Sequence, residues 1–276
     1  MSRKKEEKVE EKIYPSLVLG LDISTACIGV SIVYDDGVKE PEIIKITHVV
    51  PKLPSKIKGI EALILRKKIF EEDFLTTIKD MGITECIIEA PLNYAMGNSN
   101  AQTVTQLVQF NGLLSEAVYR VLGIVPTYMS SYEARMLSFP ELLSIRKFNK
   151  KGVVYPLSHV KKAIAENHLV LFGDFPFDCD KKEIMMNCVR EKYPEISWVY
   201  DNNGKLKKEN FDACDSLVCA LAYINTKKYG EMKPEIVDCN IERVDSADTG
   251  SGTLIKYSMN VWDKKYQKQI FLEDVK

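Results

Sequence analysis

No stretch of about 18 consecutive apolar residues occurs in the 276-residue chain, so no segment reads as a membrane-spanning helix. The first dozen residues, Met1 to Lys12, are charged and lack the apolar core of a signal peptide. Paired cysteine motifs are missing too. The seven cysteines are odd in number and include no CxxC pair, which speaks against a disulfide scaffold or zinc ribbon. They read as buried thiols in a reducing, cytoplasmic compartment. Asp178-Cys179-Asp180 has no second ligand cluster near it in sequence. An excess of either charge is also absent: 38 basic residues face 39 acidic ones, a net charge of −1, which argues against a surface basic all round. No internal repeat is present.

What remains is ordinary globular composition, 45% hydrophobic and 28% charged. At roughly 150 residues per domain, the length suits one large domain carrying an insertion. Residues 1–14 read as a charged, disordered N-terminus, 15–230 as the main domain and 231–276 as a β-rich extension. Leu17 to Ile23, Ile28 to Tyr34 and Glu42 to Val50 read as strands, with Asp35-Asp36-Gly37 as a hairpin turn. The short joints make these three an antiparallel meander. Apolar residues from Gly59 to Lys79 recur at helical spacing, and Glu85 to Ala90 reads as a strand buried on both faces. A helix over Gln102 to Leu122, a strand over Ile124 to Met129 and a helix from Tyr132 follow. The expected fold is α/β, a mixed sheet of three antiparallel strands followed by βαβ units, flanked by helices. Ser138 to Asp180 reads as a basic insertion with a helix around Ser158 to Asn167. Further helices are expected over Lys181 to Tyr193 and Phe211 to Lys228. Strand-like segments in the tail are Ile236 to Val244, Thr253 to Val261 and Gln269 to Leu272.

Four acidic residues interrupt apolar contexts where burying a charge is costly. Asp22 ends the first strand and Glu89 ends the fourth. Asp212 and Asp215 stand three apart near the start of the last helix, on one helical face. Each has an ordinary structural explanation: Asp212 as a helix N-cap, Asp215 at the positive end of the dipole, Asp22 as a cap on the turn at Ser24. Glu89 is the least easily explained so, because Glu has poor strand propensity. Converging carboxylates repel unless a cation sits between them. Oxygen donors without His or Cys select Mg²⁺ or Mn²⁺ over zinc. A cluster holding two such ions suits phosphodiester hydrolysis.

Leu19-Gly20-Leu21-Asp22-Ile23-Ser24, with Gly29 after it, resembles the first-strand motif of RuvC-type Holliday junction resolvases of the ribonuclease H-like superfamily, divergent viral and phage members included. Ile88-Glu89-Ala90-Pro91 resembles that family's second acidic motif. Leu107 to Gly112 resembles its following helix, and Asp212-Ala213-Cys214-Asp215-Ser216-Leu217 its closing motif. The resemblance covers about residues 17–135 and 181–228. It implies a Mg²⁺-dependent homodimer that nicks branched DNA, with Asp22, Glu89, Asp212 and Asp215 as catalytic metal ligands. The insertion and the tail exceed what a minimal resolvase needs.

Between Ser144 and Lys162 the chain carries Arg146, Lys147, Lys150, Lys151, Lys161 and Lys162, and no acid. Such a run neutralises phosphates without reading sequence, although a solvated loop has the same composition. Lys181 and Lys182 open the next helix, where the resemblance places a lysine contacting the DNA backbone. Tyr94, in the polar loop after Glu89, is expected to pack against an unstacked junction base. Two other functions compete. One is a branched-DNA-binding protein that does not cut. The other is an actin-like ATPase, whose phosphate loops Asp22 to Thr25 and Asp248 to Thr253 resemble. The 23 residues after Thr253 read as too few for such an enzyme's second domain.

Overall fold

The structure, a computed structural model, describes residues 15–91, 101–229, 234–244 and 254–261. Three strands open it: β1 (Ser16–Ile23), β2 (Ile28–Asp35) and β3 (Glu42–Val49). They pair antiparallel, β1 with β2 and β2 with β3. The β1–β2 joint is closed by Ser24, whose hydroxyl donates to the Cys27 carbonyl and accepts from the Cys27 N–H. Asp22 is therefore not needed as a cap there. Gly37 takes the left-handed conformation that the expected hairpin turn requires (φ 77°), with the carboxylates of Asp35 and Asp36 accepting from the turn's N–H groups.

Helix α1 (Gly59–Phe70) runs through a π turn, Glu71–Leu75, into the short α2 (Thr76–Ile78). Regular apolar spacing does not announce that turn. β4 (Glu85–Glu89) then pairs parallel with β1, and β5 (Thr127–Met129) parallel with β4, after the crossover helix α3 (Ala101–Leu122). The sheet order is β3-β2-β1-β4-β5, a mixed five-stranded sheet flanked by helices, as expected. β5 is shorter than its sequence pattern, starting at Thr127 rather than Ile124.

Strand alternation divides the core into two layers. Leu19, Leu21, Ile28, Val30, Ile32, Cys86 and Ile88 face α1 and α3, where they meet Phe70, Phe74, Phe110 and Leu114. The apolar face of α3, including Phe110, Leu114, Ala117 and Val118, is thus core, while Val108 and Tyr119 stay exposed. The opposite faces of β1, β2 and β4 carry Val18, Val33 and Ile87. They pack against α4 (Ser131–Ser138), α6 (Lys181–Lys192) and α7 (Glu209–Tyr229). By the same alternation Gly20, Asp22, Gly29 and Glu89 lie on this second face.

α7 can lie on the sheet only because two of those positions are glycine. A Cβ at Gly20 would stand 2.2 Å from the Ser216 carbonyl oxygen, and one at Gly29 would stand 1.9 Å from that of Asp212. Nothing else of that size fits. Gly112 on α3 is different: a Cβ there would meet nothing within 4 Å.

α7 also begins earlier than its apolar pattern, at Glu209 rather than Phe211. The buried Asn210 amide fixes this start by donating to the Val199 carbonyl (2.6 Å) while its oxygen accepts from the Val199 N–H (3.1 Å). Asp212 is therefore inside the first turn and is not an N-cap. α4 opens with a capping box between Ser130 and Glu133, and α6 with Asp180, whose carboxylate accepts from the N–H groups of Lys182 and Glu183. Asp180, from the Asp178-Cys179-Asp180 motif, thus serves as the N-cap of α6.

Between α4 and α6 lie β6 (Leu143–Ser144), α5 (Leu157–Ala165) and β7 (Val170–Leu171), with β6 and β7 paired. Ile145, Val160 and Ala163 form a small core of their own, touched by Ile236. β8 (Ile236–Val244) and β9 (Leu254–Val261) form an antiparallel pair, as the tail pattern suggested. Gln269 to Leu272 and Asp248 to Thr253 lie outside the described residues. No described helix is long and apolar enough to cross a membrane, and among the described residues no disulfide forms.

Gly29→Ala should destabilise the protein by about 3 kcal/mol or more, because backbone rather than a movable side chain occupies the space. A thermal melt followed by circular dichroism should show Tm lower by roughly 10 °C. Gly112→Ala, with open space and better helix propensity, should leave Tm unchanged or slightly higher.

Candidate metal centre

The parallel register of β1 and β4 sets Leu21 beside Ile88, so the next residues, Asp22 and Glu89, stand near each other at the carboxyl ends of their strands. α7 crosses the same face and brings down Asp215, which is 4% exposed. One carboxylate oxygen from each of Asp22, Glu89 and Asp215 lies within 4.8 Å of the other two. Three segments distant in sequence thus supply one oxygen cluster on an apolar bed.

Coulomb repulsion at such a distance is roughly 3 kcal/mol or more for each ionised pair at a dielectric of about 20. The protonation behaviour follows. Burial, then the charges of Glu89, Asp215 and Asp212, hold the Asp22 carboxyl well above the usual carboxylate range. Burial and Asp215 push Glu89 up to about 7. Asp212 is also raised, chiefly by burial.

Two cations answer the acids. The Lys182 Nζ lies 3.3 Å from Asp215 Oδ2, and Arg135 Nη2 lies 3.4 Å from Asp215 Oδ1. Burial lowers the Lys182 pKa, but the neighbouring carboxylates outweigh it, and the net shift is upward. Were all four carboxylates ionised, two positive charges would leave two negative charges over. A divalent cation fits that deficit, and the donor set is wholly hard oxygen, which suits Mg²⁺ or Mn²⁺.

Asp212 does not join the group of three. It sits one turn before Asp215, close enough to perturb Asp22 and Glu89, and its carboxylate accepts a hydrogen bond from the Cys27 thiol. Burial and this acid neighbour push that thiol well up, so Cys27 stays protonated.

The expected DNA-binding residues are spread more widely. Lys182 stands at the acid cluster and Lys181 is exposed beside it. In the basic segment, Arg146 stacks on Phe177 at 4.2 Å and Lys147 pairs with Asp174 at 2.8 Å. Lys150 and Lys151 are exposed in a turn closed by the Asn149 side chain. Lys162 reaches Glu166 at 3.8 Å, and Tyr155 stacks on His159. Tyr94 lies outside the described residues. Arg135 was not legible in the sequence. It is the one cation of a short helix, 80 residues from its partner, and no motif marks it.

No protein-family model matches the chain, and no curated protein matches it. Among solved structures, the chain is similar to RuvC of Thermus thermophilus, with 13% identity over 78% of this chain and 96% of that one (TM-score 0.45). A structure of T. thermophilus RuvC in complex with a Holliday junction substrate gives 12% identity, 78% and 96% coverage and a TM-score of 0.46. The yeast mitochondrial Holliday junction resolvase Ydc2 gives 14% identity over 80% of this chain and 85% of that one (TM-score 0.43). At these identities the likeness concerns the fold, and the chemistry rests on the residues of this chain.

The raised carboxyls make a pH prediction. A group that binds its proton more tightly folded than unfolded contributes stability at low pH. Glu89 loses that contribution as pH rises from its ordinary value of 4.5 to about 7. Mg²⁺ or Mn²⁺ should therefore raise Tm more at pH 8 than at pH 5. In chelator at pH 8, Glu89→Gln should melt higher than the unmodified chain, and its metal-induced shift should shrink. Equal metal shifts at the two pH values would contradict the site.

Proposed function

We propose that this chain is a metal-dependent, structure-selective endonuclease that hydrolyses phosphodiester bonds in four-way junctions or other branched DNA. The observation that carries the reading is the convergence of Asp22, Glu89 and Asp215 from β1, β4 and α7 within 4.8 Å. In this reading Asp212 is the fourth ligand, one turn from Asp215 on the same helix. Mg²⁺ or Mn²⁺, two ions per site, supplies water activation and stabilisation of the leaving oxygen when bound.

The remaining tasks belong to the protein. Asp22, which feels the charges of Glu89 from β4 and of Asp215 and Asp212 from α7, would hold the metal together with them. Arg135 holds one oxygen of Asp215 and so fixes how the carboxylate is presented. Lys182, half exposed beside the same carboxylate, offers its ammonium group to a phosphate oxygen. The apolar layers beneath the acids keep the electrostatics strong by excluding water.

Further out, Arg146, Lys147, Lys150, Lys151 and Lys181 are assigned to the DNA backbone, and Tyr94 to an unstacked junction base. A homodimer presenting two such sites to one junction completes the reading. So does placement in a reducing compartment, where the buried thiols of Cys27, Cys86, Cys214 and Cys219 persist. The reading covers a viral or phage resolvase as well as a cellular one.

The decisive experiment compares synthetic four-way junctions, flaps and linear duplex, each with Mg²⁺, with Mn²⁺ and with chelator. Branched DNA should be cut only with metal, and linear duplex should not be cut. Asp22→Asn and Asp215→Asn should abolish cleavage and retain DNA binding. An active Asp22→Asn protein would refute the assignment. Replacing Lys150 and Lys151 together by Ala should weaken binding uniformly across DNA sequences. The slope of log affinity against log salt should fall by about 2.

A further inference from the structure

Beside the acid cluster is an open cleft of about 510 Å³, within the rough 300–1,000 Å³ range of clefts that take small ligands. Its walls are mainly apolar: Ala26 and Cys27 from the β1–β2 joint, Val50 after β3, and Phe211 from the first turn of α7. Lys182 and Lys208 line it as well, together with the acids Glu209 and Asp212 and the Ser24 hydroxyl. Lys182 and Asp212 belong to the acid site as well, so the cleft and the metal centre are continuous.

An apolar wall with two lysines and two acids beside it suits an occupant that has flat apolar faces, hydrogen-bond donors on its edge and phosphates for the lysines. A nucleobase with its flanking phosphates has that form. Phe211 and Val50 would meet the faces of the base, while the two lysines would meet phosphates. The Glu209 carboxylate in the same lining can accept hydrogen bonds, which the N–H groups on a base edge supply.

A base stacked in duplex DNA cannot enter a cleft beside its own strand's phosphate. It must first leave the stack, at a cost of a few kcal/mol that is least where the nucleotide is already unpaired. We propose that this cleft holds a nucleobase unstacked from the strand whose phosphodiester lies at Asp22, Glu89 and Asp215. The proposal rests on the nuclease reading and deepens it. The cleft, rather than the acid cluster, selects branched DNA over duplex.

The test reads binding and cutting separately. Affinity of the full chain is measured in chelator for a synthetic four-way junction, intact and with single abasic sites scanned through the nucleotides flanking the crossover. One abasic position should weaken binding by about 5- to 150-fold, the range of a lost base–aromatic stack. Phe211→Ala should weaken binding to the intact junction comparably and lose nothing further on that abasic junction. Ala26→Trp fills the cleft from an exposed position, leaves folding intact and should act the same way. Variants that bind intact junctions like the unmodified chain would overturn the proposal, as would a cleft that serves a protein partner's side chain and leaves DNA affinity untouched. A chain with the expected binding pattern that cuts nothing in Mg²⁺ or Mn²⁺ supports the cleft and refutes the nuclease reading. Junctions cut equally well with and without every flanking base overturn the cleft alone.

Discussion

The approach of α7 to the sheet at Gly20 and Gly29 is the contact on which the rest depends. Helix backbone lies where any Cβ would be, so the helix cannot be displaced outward without losing the second core layer. That seating determines how far Asp215 descends toward Asp22 and Glu89. It also places Asp212 over the Cys27 thiol and Phe211 in the wall of the neighbouring cleft. One close approach therefore sets the ligand geometry and the shape of the space beside it.

The second constraint is electrostatic. Carboxylates held together on an apolar bed are unfavourable when fully ionised, and the structure answers in two ways. Some of the acids hold protons to unusually high pH, and Lys182 and Arg135 both lean on Asp215. Once the acids are ionised, the two cations alone leave two negative charges unbalanced. The site is strained toward a divalent cation, which is the property that hydrolysis of a phosphodiester would use. The earlier puzzle of a net charge of −1 loses its force here. Part of the negative total is concentrated where cations belong, and exposed Lys150 and Lys151 stand in a stretch of sequence, Ser144 to Lys162, that holds no acid.

Much of the architecture was legible because alternation and helical spacing are local properties. The β1–β2–β3 meander, the β4–α3 unit and the tail pair can all be read from residue order. The π turn in α1, the late start of β5 and the early start of α7 could not. Each depends on packing or, at Asn210, on a side chain bonding a distant backbone. The acids Asp22 and Glu89 stood out because charge at the end of an apolar strand needs a reason. Arg135 did not, because an arginine on an amphipathic helix is ordinary until its partner is known.

By itself the sequence determined which residues could form a metal centre: hard oxygen donors, placed at strand ends and one helical turn apart. Only the tertiary structure decided which of them meet. The parallel register put Asp22 beside Glu89, and the glycine-permitted seating of α7 brought Asp215 to them while leaving Asp212 one turn aside. The physical reason is that composition and periodicity act within an element, whereas distances between carboxylates are set by how elements pack.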